Sequence, residues 1–533
     1  MKTTTIVGLA AIGALALSAC SSGGGGAAGG SGEPVIDGTL KFAINEDPGS
    51  LFRPANSSAT LSYVYPWAYE SPVYFNPEGE PQGWLAESWE DTPTSVTFTI
   101  RDDATCSDGT KLTAETVANN YRWIADPANG SSFLGLVVPA DAQVENDERS
   151  VTLTTATPNS FLLTALGTHP IYCQAALDDP DSTVSATNGT GLFQLAEAVP
   201  GDHYTFERRD DYTWGPEGAP TGATPGVPKE VVISVIENAS TRANLLLSGE
   251  LNLSTVAGPD EDRVASALEP YTQIMGITGG FVYSQAEGQP TADKNVRIAL
   301  TKALDLDALM KVNTAGRGER ATRLAVTPPQ VCQYDAATPN LPKTDIAGAE
   351  KLLDEAGWVK GADGIRAKDG EKLELDFAWQ TRWAENAATA ELAADQWAEI
   401  GVGVNHLGTD YGAFMERVGK EGSASELDVI WIAPNYPVPS VLSSFFSGPA
   451  PTGGNNFGAV SNPEFDRLVA ETTGSTGAEA CAGWEAAEAE MFASADYVSF
   501  AMRPDVTYGR GVKAVIQPSG MDTYVTGVTL VNE

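Results

Sequence analysis

Strand-length runs with apolar residues at alternate positions, separated by amphipathic helical stretches that stop at glycine, predict an α/β fold. The length of 533 residues predicts more than one core, because single hydrophobic cores stop growing near roughly 250–300 residues. A hydrophobic content of 42% is ordinary for a globular protein and supplies enough apolar material for two cores.

The elements begin near Gly38. Thr39-Leu40-Lys41-Phe42-Ala43-Ile44 reads as a first strand with Leu40, Phe42 and Ile44 on one face. Val96, Phe98 and Ile100 alternate in the same way. Asp108-Gly109 is a turn signal, and a helix follows from Thr113, whose hydroxyl suits an N-cap. Residues 231–236 form a nearly continuous apolar strand, expected to be covered on both faces. Residues 239–248 are helical and stop at Gly249. In the second half, residues 293–304 place Val296, Leu300 and Ala303 or Leu304 at helical spacing. Residues 345–356 carry the stripe Ile346, Ala349, Leu353 and Ala356, with Gly357 as the stop. Leu373, Leu375 and Phe377 alternate as a strand, and residues 385–400 form a helix ended by Gly401. Val402-Gly403-Val404 and residues 428–432 read as two more short strands. No fixed-period repeat is present.

The start of the chain reads as targeting, not fold. Residues 1–19 form a signal peptide: Lys2 supplies positive charge, and residues 6–19 are apolar but shorter than the roughly 20 residues that span a bilayer. Leu17-Ser18-Ala19-Cys20 resembles the bacterial lipoprotein box, so Cys20 is the expected lipid attachment site. An ordinary secretory signal with a chance cysteine is the alternative. The Gly/Ser tract of residues 21–31 reads as a tether, making 20–37 a lipidated cysteine plus linker. The expected location is extracytoplasmic, anchored to the outer face of the cytoplasmic membrane.

The 70 Asp and Glu outnumber 32 Lys and Arg, a formal charge of -38. Nucleic acid is thereby an improbable partner, since binding it needs clustered Lys and Arg. The dispersed acids read as a solvated surface; attraction of a cationic ligand is the alternative. Besides Cys20 the chain holds Cys106, Cys173, Cys332 and Cys481, an even set that suggests disulfides in an exported protein. Three pairings are possible. Cys106–Cys173 with Cys332–Cys481 is preferred because it keeps each bridge inside one half of the chain. A zinc site is the weaker rival, because the cysteines are far apart in sequence and only His169, His203 and His406 could join them. No metal and no cofactor is expected.

Enzyme signatures are missing. There is no Gly-x-Ser-x-Gly elbow and no His-Glu-x-x-His. Gly24, Gly26 and Gly29 fit a dinucleotide fingerprint but lie in the tether, and Gly316-x-Gly318-x-x-Ala321 follows a helix where a strand is required. The chain is read as a binding protein, not an enzyme.

Several segments, in order and spacing, carry a family resemblance. They include Trp84-Leu85-Ala86-Glu87-Ser88-Trp89; Phe98-Thr99-Ile100-Arg101 followed by Cys106-Ser107-Asp108-Gly109-Thr110 and Leu112-Thr113-Ala114-Glu115; and Asn188-Gly189-Thr190-Gly191 with Tyr212-Thr213-Trp214-Gly215. Asn295-Val296-Arg297, Ala356-Gly357-Trp358 and Asn462-Pro463-Glu464-Phe465-Asp466 continue the series. From about Gly38 to about Val512 the chain resembles the family 5 extracellular solute-binding proteins, the peptide/nickel/opine-type receptors of ATP-binding-cassette importers. The resemblance implies a two-lobe, periplasmic-binding-protein-like fold with an interlobe ligand cleft. Lobe I would be 38–275 plus 500–533, and lobe II 276–499. It further implies a monomer that closes over an oligopeptide or similar polar organic solute and presents it to importer permease subunits. A non-transport cell-envelope or regulatory protein on the same fold is the alternative.

Family position and side-chain type nominate the ligand contacts. Tyr63, Tyr65 and Trp67 follow the first strand, in a segment that lines the cleft in relatives. Trp379, Arg382 and Trp383 follow Phe377 at the carboxyl end of a strand, where α/β sheets bind ligands. Trp431, Asn435 and Tyr436 lie at or past the strand that starts at Asp428. Aromatics with a lone Arg suit an amphipathic ligand bearing a carboxylate, although core packing is the commoner role for any one aromatic. Arg382 is read as a ligand contact or a surface ion pair. Peptide-binding relatives often carry an Asp near residues 435–440 to meet the ligand amine. Pro434-Asn435-Tyr436-Pro437-Val438-Pro439 has no acid, which counts against free di- and tripeptides; scattered histidines count against a nickel chelate.

Overall fold

A ten-stranded mixed sheet runs through the molecule. The computed structural model describes residues 32–532, apart from 57, 59, 77, 269, 382, 515, 516, 520, 521, 525 and 526. The signal segment, Cys20 and Arg382 therefore lie outside the described residues. The sheet strands are β1 (Thr39–Ile44), β2 (Phe193–Val199), β3 (His203–Arg208), β4 (Glu230–Val235), β5 (Leu253–Thr255), β6 (Pro270–Tyr283), β7 (Glu374–Gln380), β8 (Gly403–Thr409), β9 (Val429–Trp431) and β10 (Tyr497–Gly509). Their spatial order is β8-β7-β9-β6-β10-β5-β1-β4-β3-β2. β1 is parallel to β4 and β5, and β7 is parallel to β8 and β9. The remaining neighbours are antiparallel.

The local signals place these elements. Leu40, Phe42 and Ile44 are buried on β1, together with Ala43. The Thr113 hydroxyl accepts from Thr116 N at 3.1 Å and caps the helix Ala114–Ala125. Asp293 and Asp345 cap the helices Lys294–Lys302 and Ile346–Glu355 in the same manner. Gly249 ends the helix Ala239–Ser248 at φ +81°, a left-handed turn that glycine adopts without steric cost. Strand Ser95–Ile100 buries Val96, Phe98 and Ile100, but in a separate four-stranded antiparallel sheet. One expectation is corrected. β4 is covered mainly on one face: Val231 and Ile233 are buried, while Val232 and Ser234 are only half so. An antiparallel neighbour on one side, β3, leaves the strand one face open to water.

Two large apolar clusters form. The first gathers residues between Leu40 and Leu253 with Val512, Val528 and Leu530. The second runs from Phe281 to Ala501. Phe281 sits at the centre of the second, its ring 4.7–5.8 Å from those of Phe377, Trp397, Trp431 and Phe500. The antiparallel ladder of β6 and β10 links the clusters, with Tyr271 packed against the first and Phe281 inside the second. Gly280 on β6 is required there, because a Cβ would collide with the Tyr497 hydroxyl.

Cys106 bonds to Cys173 and Cys332 to Cys481, the pairing preferred from the sequence, with Cα separations of 6.2 and 5.4 Å. Among the described residues no helix is long and apolar enough to cross a membrane.

Candidate ligand-binding cleft

A small cavity of about 60 Å³ opens where loops of the first cluster face loops of the second. The first half supplies Arg53, from the turn Arg53–Ala55, and Phe133, Leu136 and Val137, from the loop beyond the helix Ala114–Ala125. It also supplies Thr168 and His169, just past the helix Leu162–Gly167. The second half supplies Tyr436, Pro437 and Val438, from the loop after β9, and Val441 from the turn Pro439–Leu442. The wall is mainly apolar, as ligand pockets generally are.

Arg53 and His169 are its notable polar groups. Arg53 is 3% exposed and its guanidinium lies 4.7 Å from the Phe133 ring centroid, a cation–π arrangement. Its Nη1 donates to Asn56 O, and its backbone N donates to the Tyr172 hydroxyl. His169 is 4% exposed, and its ring centroid is 5.4 Å from that of Phe133. Its Nε2 is buried with no hydrogen-bond partner. Burial, with the Arg53 charge adding to it, pulls the imidazole down to about 3, so His169 is neutral at ordinary pH.

The two halves also touch beside the cavity. Ser160 Oγ donates to Thr472 O at 2.9 Å, and Phe161 packs with Val438, Cys332 and Trp484. Near the ladder, the buried Glu261 carboxylate meets Arg503 at 2.8 Å and Arg317 at 3.1 Å.

The nine residues nominated from sequence scatter. Only Tyr436 lines the cavity; it is half-buried, and burial with the neighbouring Tyr411 pushes its phenol up. Asn435 immobilises this loop: its Oδ1 accepts from Ile277 N at 2.7 Å, and its Nδ2 donates to Ile277 O and Ala433 O. Tyr63 is part-buried and donates to Asp505 Oδ2 on β10 at 3.0 Å. Tyr65 and Trp67 pack inside the first core, Trp67 5.2 Å from Phe193. Trp379 and Trp431 pack inside the second core, and Trp431 Nε1 donates to Thr278 O. These four rings have little surface left for a solute. Trp383 is 45% exposed beyond the carboxyl end of β7. Arg382 lies outside the described residues.

Arg53 and His169 were not nominated. The available signal was a lone cation inside the apolar run Leu51-Phe52-Arg53-Pro54 and a histidine closing the apolar stretch from Phe161. Tyr411 is 57% exposed and begins the helix that follows β8, as Trp383 follows the adjacent parallel strand β7.

A mixed sheet joining two cores, with a cavity at their seam, defines a two-lobe solute-binding fold. Residues 80–453 match the family described as bacterial extracellular solute-binding proteins, family 5 Middle, and the chain belongs to this family. It is 25% identical over 508 residues to the oligopeptide-binding protein OppA of Bacillus subtilis (strain 168), covering 88% of each chain. It is 26% identical over 401 residues to the nickel-binding periplasmic protein of Escherichia coli (strain K12), covering 71% of this chain and 72% of that one. The fold is similar to that of NikA from Brucella suis in complex with Fe(III)-EDTA, with a TM-score of 0.75 and 22% identity over 93% of this chain and 100% of that one. Proteins of this family are transport receptors that bind peptides, nickel or other ligands, not enzymes.

Proposed function

We propose that the protein is the substrate-binding lipoprotein of an ATP-binding-cassette importer, tethered through Cys20 and active as a monomer. It captures an organic solute between lobe I (38–275 plus 500–533) and lobe II (276–499) and hands it to the permease unaltered. The observation that carries this reading is the seam cavity, whose wall takes Arg53 and His169 from one half and Tyr436 and Val438 from the other. A wall shared between two bodies forms only when they come together, so a solute that touches both favours the closed state. The β6–β10 ladder, which carries both proposed boundaries, is the hinge in this reading. Oligopeptides are the first solutes to test, since relatives named for them span most of the chain.

Isothermal titration of the purified protein with an oligopeptide library, and with sugars and opines in parallel, tests the assignment. Saturable binding with the solute recovered intact is expected. Chemical conversion of a bound solute contradicts receptor function; binding confined to sugars or opines contradicts the peptide class.

A further inference from the structure

Residues 326–334, in the second half, form no helix or strand. A segment without a ladder of its own is held by the side chains around it. Here the helix Gly477–Ala493 supplies two of them. Cys481 is disulfide-bonded to Cys332, and Glu488 accepts from Leu324 N at 3.0 Å and from the Tyr334 hydroxyl at 2.8 Å. Arg323 braces the segment internally, its Nη2 donating to Gln330 Oε1 at 2.6 Å and its Nη1 to Tyr334 O at 3.2 Å. The tip so fixed, Gln330-Val331, reaches beyond its own half. Val331 packs against the first core and against the cluster that holds Phe161. Facing it, the turn between the paired strands Val73–Phe75 and Pro81–Gly83 of the first half presents Gly79. A Cβ on Gly79 would lie 2.5 Å from Gln330 O and 3.0 Å from Val331 Cα. The first distance is shorter than non-bonded atoms tolerate, so backbone meets backbone here only because residue 79 has no side chain.

We infer that residues 326–334 are a clasp between the lobes: the Cys332–Cys481 bond positions Gln330 and Val331 on the Gly79 turn, and this contact adds to the affinity for a solute held between the lobes. The effect on solute rests on the receptor reading above; the contact between the halves does not. A contact made only when two bodies meet favours the closed state, as a solute touching both does. The Cys332–Cys481 bond is thereby a positioning device as well as a brace for its own core. Its removal acts on a turn of the other half, in which neither cysteine lies. Gly79 is the matching position on that half, kept small so that the tip can seat.

Hydrogen exchange of the purified full chain, read by mass spectrometry, tests the contact from both sides. Val331→Ala and the double variant Cys332→Ala/Cys481→Ala are each expected to speed exchange at residues 78–80 roughly threefold or more, with β1 of the same core at the parent rate. V331A keeps the test alive where the double variant fails to fold. Gly79→Ala is expected to speed exchange at residues 330–333 by a similar factor. Gly109→Ala is its control: Gly109 has nearly the same left-handed φ, +81° against +82°, but open space where a Cβ would go, so 330–333 should not respond. Affinity is read with the peptides that the parent retains from a tryptic digest of casein. V331A is expected to weaken them roughly threefold to tenfold, the worth of one or two methyl groups withdrawn from apolar contact. Unchanged exchange on either side overturns the clasp, and so does unchanged affinity in a V331A protein whose exchange has shifted. If exchange shifts as expected but no digest peptide, sugar or opine binds the folded parent, the contact between the halves stands and the receptor reading falls.

Discussion

At the scale of single residues, buried charge sets the sharpest expectations. Asp496 is fully buried and accepts from Arg297 Nη2 at 3.0 Å, Asn462 Nδ2 at 2.7 Å and Gln285 Nε2 at 2.7 Å. Asp496→Ala leaves Arg297 charged and unpaired, which is expected to cost about 3–5 kcal/mol in urea unfolding. Glu488 is buried beside Leu324 N and the Tyr334 hydroxyl, and burial pushes its carboxyl up to about 7 from 4.5. The folded state therefore holds this proton more tightly than the unfolded chain. Its contribution to stability is present at low pH and lost as pH rises from about 4.5 through 7. Glu488→Gln should remove that loss, raising the urea midpoint relative to the parent at pH 8 more than at pH 4.5. His169 works in the opposite sense. Its folded value near 3 lies below the ordinary 6.5, so its contribution is whole above 6.5 and falls away as pH drops toward 3. The Thr113 cap was legible in the sequence because its chemistry is local: like Asp293 and Asp345, it bonds a backbone N–H two or three residues on. Arg53 and His169 were not, because only tertiary packing brings both beside Phe133.

At the scale of elements, periodicity located most strands and helices but not their partners. The alternation of Val96, Phe98 and Ile100 is the same whether a strand joins the main sheet or the separate four-stranded one, so the sequence could not distinguish them. Four of the nominated aromatics, Tyr65, Trp67, Trp379 and Trp431, lie in the cores for a related reason. Trp67 and Trp431 look identical in sequence to cleft rings, yet their strand register and loop path turn them into the two cores. The segment that does cross the seam is Ser160-Phe161, which was not singled out. Phe161 is buried among Val438, Cys332 and Trp484 of the other half. Burying a Phe gains about 1.5–3 kcal/mol, and this burial exists only while the halves meet. Phe161→Ala is thus expected to weaken solute affinity by roughly tenfold to a hundredfold, read by titration, with the circular dichroism spectrum retained. An unchanged affinity would show that the contact does not report closure.

At the scale of the whole molecule, the α/β class and the division into two cores were legible because they follow from strand–helix alternation and length. The continuity of one ten-stranded sheet across both cores was not, since β6 and β10 lie more than 200 residues apart and pair only in the fold. The two disulfides each stay within one core region, closing separations of 67 and 149 residues. Chain entropy gives an upper bound of about 4–5 kcal/mol for each. Reduction should therefore lower the thermal midpoint by calorimetry while leaving the β6–β10 ladder, which neither bridge spans, free to flex.

Small-angle X-ray scattering of the protein with and without a solute that titration shows to be saturating tests the central claim most directly. Closure of two lobes about the β6–β10 ladder predicts a smaller radius of gyration in the saturated sample. Superimposable profiles from free and fully loaded protein would contradict it.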